Sequence, residues 1–202
     1  MKNLRTAVLA LVAVLSLSGL TGLSTASAAK FTAGKVGAAL KTTTLRTNEM
    51  TLTGSKIQCA TAIFTGQTEA LESSSQKAVP QYSNCTAFGM SGATINSSGC
   101  VYNFTASGEV HIESCTSGGF TVASATAFGK CKMFVKNQSI PNAVTYSNTV
   151  GKVDVDVIAE GIHVEVTEST GICPVKLGTH TTGKTSIKVE VAAEGTTIQW
   201  DA

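Results

Sequence analysis

The sequence predicts an all-β fold, an antiparallel β-sandwich or flattened barrel built from hairpins and stapled by disulfides. Three observations carry that expectation. Apolar and polar residues alternate with period two along much of the chain, Gly-containing turn signals separate the alternating runs, and six cysteines follow an export-type leader. Thr, Ser, Val and Gly are plentiful, as befits strands joined by tight turns.

Residues 1–28 carry Lys2 and Arg5, then an apolar run from Ala7 to Leu17, then small residues ending Ala26-Ser27-Ala28. That order reads as a secretory signal cleaved after Ala28. The apolar run is shorter than the roughly 20 residues a spanning helix needs, and no cysteine follows it to take a lipid. Residues 29–202 are therefore expected as a single β-rich extracellular domain with no membrane span. Lys2 and Arg5 leave with the signal, so the formal charge of +2 falls to zero. A neutral chain without a basic block is not expected to bind nucleic acid or an anionic membrane, which select clustered Lys and Arg.

Taken in order, residues 31–47 predict one irregular strand. Met50–Thr53 and Lys56–Cys59 flank Gly54-Ser55, which suits a type II′ turn with Leu52 opposite Ile57 and Met50 opposite Cys59. A strand continues through Ile63 and Phe64 to Gly66. The polar stretch 67–83 reads mostly as a surface loop, or as one holding a short helix near Ala70-Leu71-Glu72, because no apolar period is sustained. Gly89–Ala93 reads as a turn. It is one residue from a nucleophile elbow but lacks the second glycine.

The stretch Gly99–Cys115 holds a hairpin around Ala106-Ser107-Gly108. A three-residue loop with Gly108 left-handed places Phe104 opposite Val110 and Tyr102 opposite Ile112, which keeps one face apolar; a two-residue loop does not. Regular strands in that register put Cys100 and Cys115 on opposite faces. Further strands follow at Phe120–Ala123 and Lys132–Val135. Thr86-Ala87-Phe88-Gly89 recurs as Thr126-Ala127-Phe128-Gly129, too short an echo to establish duplication.

Ser139-Ile140-Pro141-Asn142 is the candidate lobe boundary, near 139–144. Val153, Val155, Val157 and Ala159, then Ile162, Val164 and Val166 after Glu160-Gly161, predict a half-buried hairpin with Val157 opposite Val164 and Val155 opposite Val166. The C-terminal run repeats the device around Glu194-Gly195, with Val191 opposite Ile198, Val189 opposite Trp200 and Lys188 opposite Asp201. Trp200, the single tryptophan, is expected in the core.

An even set of cysteines in an exported chain implies three disulfides, and the lack of any C-x-x-C removes the usual zinc and thioredoxin spacings. Six cysteines pair in fifteen ways. The turn-rich interval makes Cys59–Cys85 the natural first closure. Cys100 with Cys131 follows from their shared apolar phase, leaving Cys115 with Cys173.

Little else suggests chemistry, and no catalytic, cofactor or metal-binding residues are assigned. His111 and His163 sit at polar strand positions and His180 in a Thr-rich loop. A Cys115/His111/Glu113 arrangement would need a free thiolate, which an oxidised cysteine cannot supply. Asp154, Asp156, Glu165 and Glu168 are read as a solvated face with nearby lysines rather than a calcium site or glycosidase pair. Asn84, Asn96, Asn103 and Asn137 match the glycosylation pattern, as a Thr- and Ser-rich chain will by chance.

The segments Cys59–Gly66, Asn84–Gly89 and Gly99–Phe104, followed by single cysteines and closing hairpins, resemble a group of exported actinobacterial proteins with no assigned activity. The resemblance implies a disulfide-stapled β protein and no substrate, cofactor or catalytic residue. The functional expectation is a secreted, non-enzymatic structural or binding protein with a cell-envelope or extracellular partner. The alternatives are a secreted hydrolase with an unrecognised site, or a carbohydrate-binding module needing a row of exposed aromatics.

Overall fold

The structure, a computed structural model, describes residues 28–97 and 99–202, so the expected signal, Ala28 apart, lies outside the described residues. Eight strands close an antiparallel barrel. In ring order these are β5 (Ser75–Ala87), β3 (Ser55–Gln67), β2 (Ala39–Leu52), β14 (Gly178–Ala193), β13 (Lys152–Gly171), β10 (Gly129–Lys136), β9 (Gly119–Thr126) and β6 (Met90–Asn96), which returns to β5. Period-two alternation drives the closure, because each strand has one apolar face to hide. Leu52, Ile57, Val122, Met133, Val135, Val153, Ile162 and Val164 are buried inside, while Lys130, Lys132 and Lys136 of β10 and Lys184 of β14 lie outside. A polar outer wall around an apolar interior is the reverse of a membrane-spanning barrel, and no described helix is long and apolar enough to cross a membrane.

Three short strands extend the wall beyond the eight-strand ring. β7 (Val101–Thr105) follows β6, β8 (Val110–Glu113) precedes β9, and β11 (Gln138–Ile140) follows β10. β5 carries β6 along Cys85–Ala87 and β7 along Ser75–Ala78, and β8 and β11 continue from β7. β12 (Val144–Thr149) pairs with the first part of β13, whose last part pairs with β10. At the same end β1 (Lys30–Ala33) lies between β15 (Ile198–Asp201) and β4 (Glu72–Ser73). Here Phe31 meets Tyr146 edge to face, Tyr146 packs at a tilt on Trp200, and the Trp200 indole donates to the Ala106 carbonyl at 2.9 Å. Trp200 is thus half-buried and packed on the core, its tip anchored to the central hairpin.

The central hairpin has the three-residue register, with Phe104 opposite Val110, Tyr102 opposite Ile112, and Gly108 at φ 92°. The first turn differs. Thr53 and Gly54, at φ 48° and 83°, form its centre in type I′ fashion, placing Met50 opposite Ile57 and Asn48 opposite Cys59. The slip is two residues, which preserves the faces and so left no trace in the hydrophobic pattern. Residues 31–47 form β1 and part of β2, not one strand, and much of 67–83 is strand β5, not loop. Of Gly89–Ala93, only Gly89 belongs to the turn; Met90 begins β6.

The second-half hairpins are corrected too. β13 is one strand of 20 residues, and Gly161, at φ 73°, is a bulge within it. The extra residue shifts the phase, so that Val157 and Val164 share a face without pairing. Val157 and Val164 instead pair with Ile187 and His180 of β14, so His180 is a strand residue. At the C-terminus β14 has both edges occupied by β13 and β2. β15 therefore pairs with β1, setting Trp200 opposite Phe31, and Lys188 reaches Asp154 at 3.2 Å instead of Asp201.

The disulfides are Cys59–Cys85, as expected, with Cys100–Cys115 and Cys131–Cys173 in place of Cys100–Cys131 and Cys115–Cys173. Opposite faces for Cys100 and Cys115 required regular strands. β8 ends at Glu113, and Ser114 takes φ 57°, which turns Cys115 back onto Cys100. Cys131 is left to Cys173 in the β13–β14 connection.

Candidate functional site

The barrel interior is filled. Two apolar cavities of about 50 Å³ each remain, one walled by Phe31, Phe64, Phe104 and Tyr146, the other by Met50, Phe64, Tyr82 and Tyr102. Small-molecule sites occupy about 300–1,000 Å³, so this interior works as core. Within it the Tyr82 and Tyr102 hydroxyls meet at 3.2 Å. Desolvation pushes Tyr82 up to about 12, and desolvation followed by the neighbouring Tyr82 raises Tyr102 well above the ordinary phenol range.

The residues with chemical potential gather outside, on the polar face of the wall extension. Ser139 stands directly opposite His111 in the β11–β8 pair, His111 opposite Asn103 in β7, and Asn103 opposite Lys77 in β5. Alternation that turns Tyr102, Val110, Ile112 and Ile140 inward turns this row outward. His111 Nδ1 lies 2.6 Å from Ser139 Oγ, and His111 Nε2 lies 3.5 Å from a Glu109 carboxylate oxygen. Asn103 Oδ1, in the same row, is a buried acceptor with no hydrogen-bond partner. Ser139 also borders a surface depression of about 270 Å³ shared with Gln138, Glu160 and His163. The Gln138 side chain fixes one wall, donating to the His163 carbonyl at 3.1 Å and accepting its N–H at 2.9 Å. A hydroxyl on an imidazole whose other nitrogen faces a carboxylate is the arrangement that activates serine nucleophiles.

The sequence placed His111 on a polar strand position but gave no sign of Ser139, because the β8–β11 pairing joins segments 28 residues apart. Cys115 is oxidised and takes no part. His180 is elsewhere, its Nε2 at 2.9 Å from the Lys176 carbonyl oxygen. The four carboxylates of β13 form no site. Asp154 pairs with Lys188, Glu165 with Lys136 and Glu168 with Lys130 on adjoining strands, and Asp156 reaches across β14 to Arg46 of β2. Among the described residues no group of three or more His, Cys, Asp or Glu is placed to hold a metal ion. Most of the aromatics a sugar platform would need pack in or on the core, with Phe64 against Tyr82, Tyr102 and Phe104, and exposed Phe128 has no ring beside it among the described residues.

No protein-family model, curated protein or solved structure matches this chain.

Proposed function

We propose that this chain is an exported, disulfide-stabilised barrel acting as a non-enzymatic structural or binding protein of the cell exterior. One observation carries the reading: all six cysteines are spent on bridging the wall of a barrel whose interior is packed and not hollowed for a ligand. Such a molecule persists where disulfides persist and works through its outer surface. Mass spectrometry of the culture medium is expected to find a chain beginning at Ala29 with six oxidised cysteines. Recovery from the cytosol with six reduced thiols would overturn the placement.

The Glu109–His111–Ser139 row favours a second reading, a secreted hydrolase acting on an ester or amide. In that reading His111 Nδ1 takes the Ser139 proton as Oγ attacks the acyl carbon, and the proton passes to the leaving group as the acyl–serine forms. Labelling with a fluorophosphonate decides between the two. Stoichiometric labelling that Ser139→Ala and His111→Gln abolish, with the fold unchanged by circular dichroism, would establish the hydrolase. An unlabelled wild type leaves the non-enzymatic reading standing.

A further inference from the structure

The four hairpin connections within the barrel lie at one end. They are the β2–β3 turn at Thr53-Gly54, the β5–β6 turn at Phe88-Gly89, the β9–β10 turn at Ala127-Phe128 and the β13–β14 connection from Ile172 to Leu177. Three of the most exposed apolar side chains of the described residues project there: Phe128 at 75%, Leu177 at 62% and Ile172 at 55%. Two of them are held side by side, since the Ile172 N–H donates to the Phe128 carbonyl at 3.1 Å.

The tips also share a sign of charge. Segments 52–56, 87–90, 126–130 and 170–178 carry Lys56, Lys130 and Lys176 and no carboxylate. Lys176 has no carboxylate within 4 Å among the described residues, whereas Lys56 and Lys130 reach back to Glu49 and Glu168 on the barrel wall. At the opposite end Val36, Leu71 and Val150 are exposed as well, but they sit on separate connections, and Glu69 and Glu72 stand beside Leu71 in the chain. A zero formal charge speaks against anionic partners only while charges are evenly spread, and the carboxylates that balance the three tip lysines are kept off the tips.

Rigidity is built in at the same end. Cys59–Cys85 bridges the β2–β3 hairpin to the β5–β6 hairpin, and Cys131–Cys173 bridges β9–β10 to the β13–β14 connection. A surface already held in one arrangement spends little ordering entropy on binding.

We propose that this end of the barrel docks on an anionic lipid surface, with Phe128, Ile172 and Leu177 entering the headgroup boundary and the lysines meeting lipid phosphates. Apolar burial together with electrostatic attraction to anionic headgroups is what holds a peripheral protein at a bilayer. Docking is a specific form of the binding role above. Vesicles test it whether or not the chain is exported, so each reading can fail alone.

The experiment is co-sedimentation of the oxidised protein with vesicles of phosphatidylglycerol and phosphatidylcholine, beside vesicles of phosphatidylcholine alone. Binding is expected to the anionic vesicles, weakened by 0.5 M salt on the order of tenfold. Phe128→Ser/Ile172→Ser/Leu177→Ser should lower partition at least about tenfold, and Lys176→Glu should reduce the preference for anionic lipid. Val36→Ser at the far end should change nothing. In Phe128→Trp, vesicles should shift the emission to the blue, with Trp200 remote at the other end as internal reference. Absent vesicle binding, or equal binding by wild type and the triple variant, overturns docking. A dimer free of lipid that the triple variant dissolves would give the surface to a second copy and overturn it equally.

Discussion

Tyr82 and Tyr102 make this core sensitive to alkaline pH. Their hydroxyls share a hydrogen bond among Phe64, Phe104 and Phe120, and both phenols titrate above their ordinary range, Tyr82 near 12. A raised folded-state pKa means that the unfolded chain loses these protons first. The associated stability is fully present below about pH 10 and is lost as pH rises toward 12 and beyond. Urea unfolding followed from pH 8 to 12 should show an alkaline decline that becomes shallower in Tyr82→Phe/Tyr102→Phe. All other groups are common to both proteins, so the difference between the two slopes isolates the pair. Matching slopes would mean that the phenols ionise as freely in the folded state as in the unfolded chain.

Strand β13 shows what alternation can and cannot specify. The phase change at Glu160-Gly161 was legible, but a single extra residue produces the same pattern whether the chain turns back or bulges and runs on. The deciding fact is non-local: β14 lies along the whole of β13, leaving its second half no reason to fold onto its first. Gly161→Ala should cost about 1 kcal/mol for a side chain at positive φ. Deleting Gly161 should be tolerated, since Glu160 and Ile162 already stand opposite the adjacent Lys184 and Gly183, and a regular strand then keeps Ile162, Val164 and Val166 inward with Val153, Val155 and Val157. Urea midpoints compare the two, and a deletion far more damaging than the substitution would refute the bulge. β5 went unread for another reason. Its inward residues include Gln76, Ala78 and Pro80, and buried Gln76 is satisfied by donating to the Gln67 carbonyl at 2.7 Å, so strand burial here carries almost no hydropathy signal. The Ser139–His111 row was hidden likewise, because it exists only once β8 and β11 pair.

At the scale of the molecule, the disulfides divide their labour by position. Cys59–Cys85 and Cys131–Cys173 join hairpins at the tip end, while Cys100–Cys115 ties the β6–β7 junction to the β8–β9 junction, at the base of the wall extension. Chain entropy alone ranks them by loop length, giving roughly 4 kcal/mol for the 42-residue separation, 3.5 for 26 and 3 for 15. Position predicts something that loop length does not, namely which amides open when each bridge is removed. Without Cys100–Cys115 the hairpin of β7 and β8 keeps β5 and β11 as neighbours but loses the clamp at its base. Hydrogen exchange in Cys100→Ala/Cys115→Ala should therefore quicken across Val101–Glu113 while the β13–β14 ladder stays protected. Cys131→Ala/Cys173→Ala should reverse the pattern, quickening the Ile172–Leu177 connection and the adjoining ends of β10 and β13. If either variant opens all strands together, the barrel unfolds as one cooperative unit and the bridges act only through the unfolded chain.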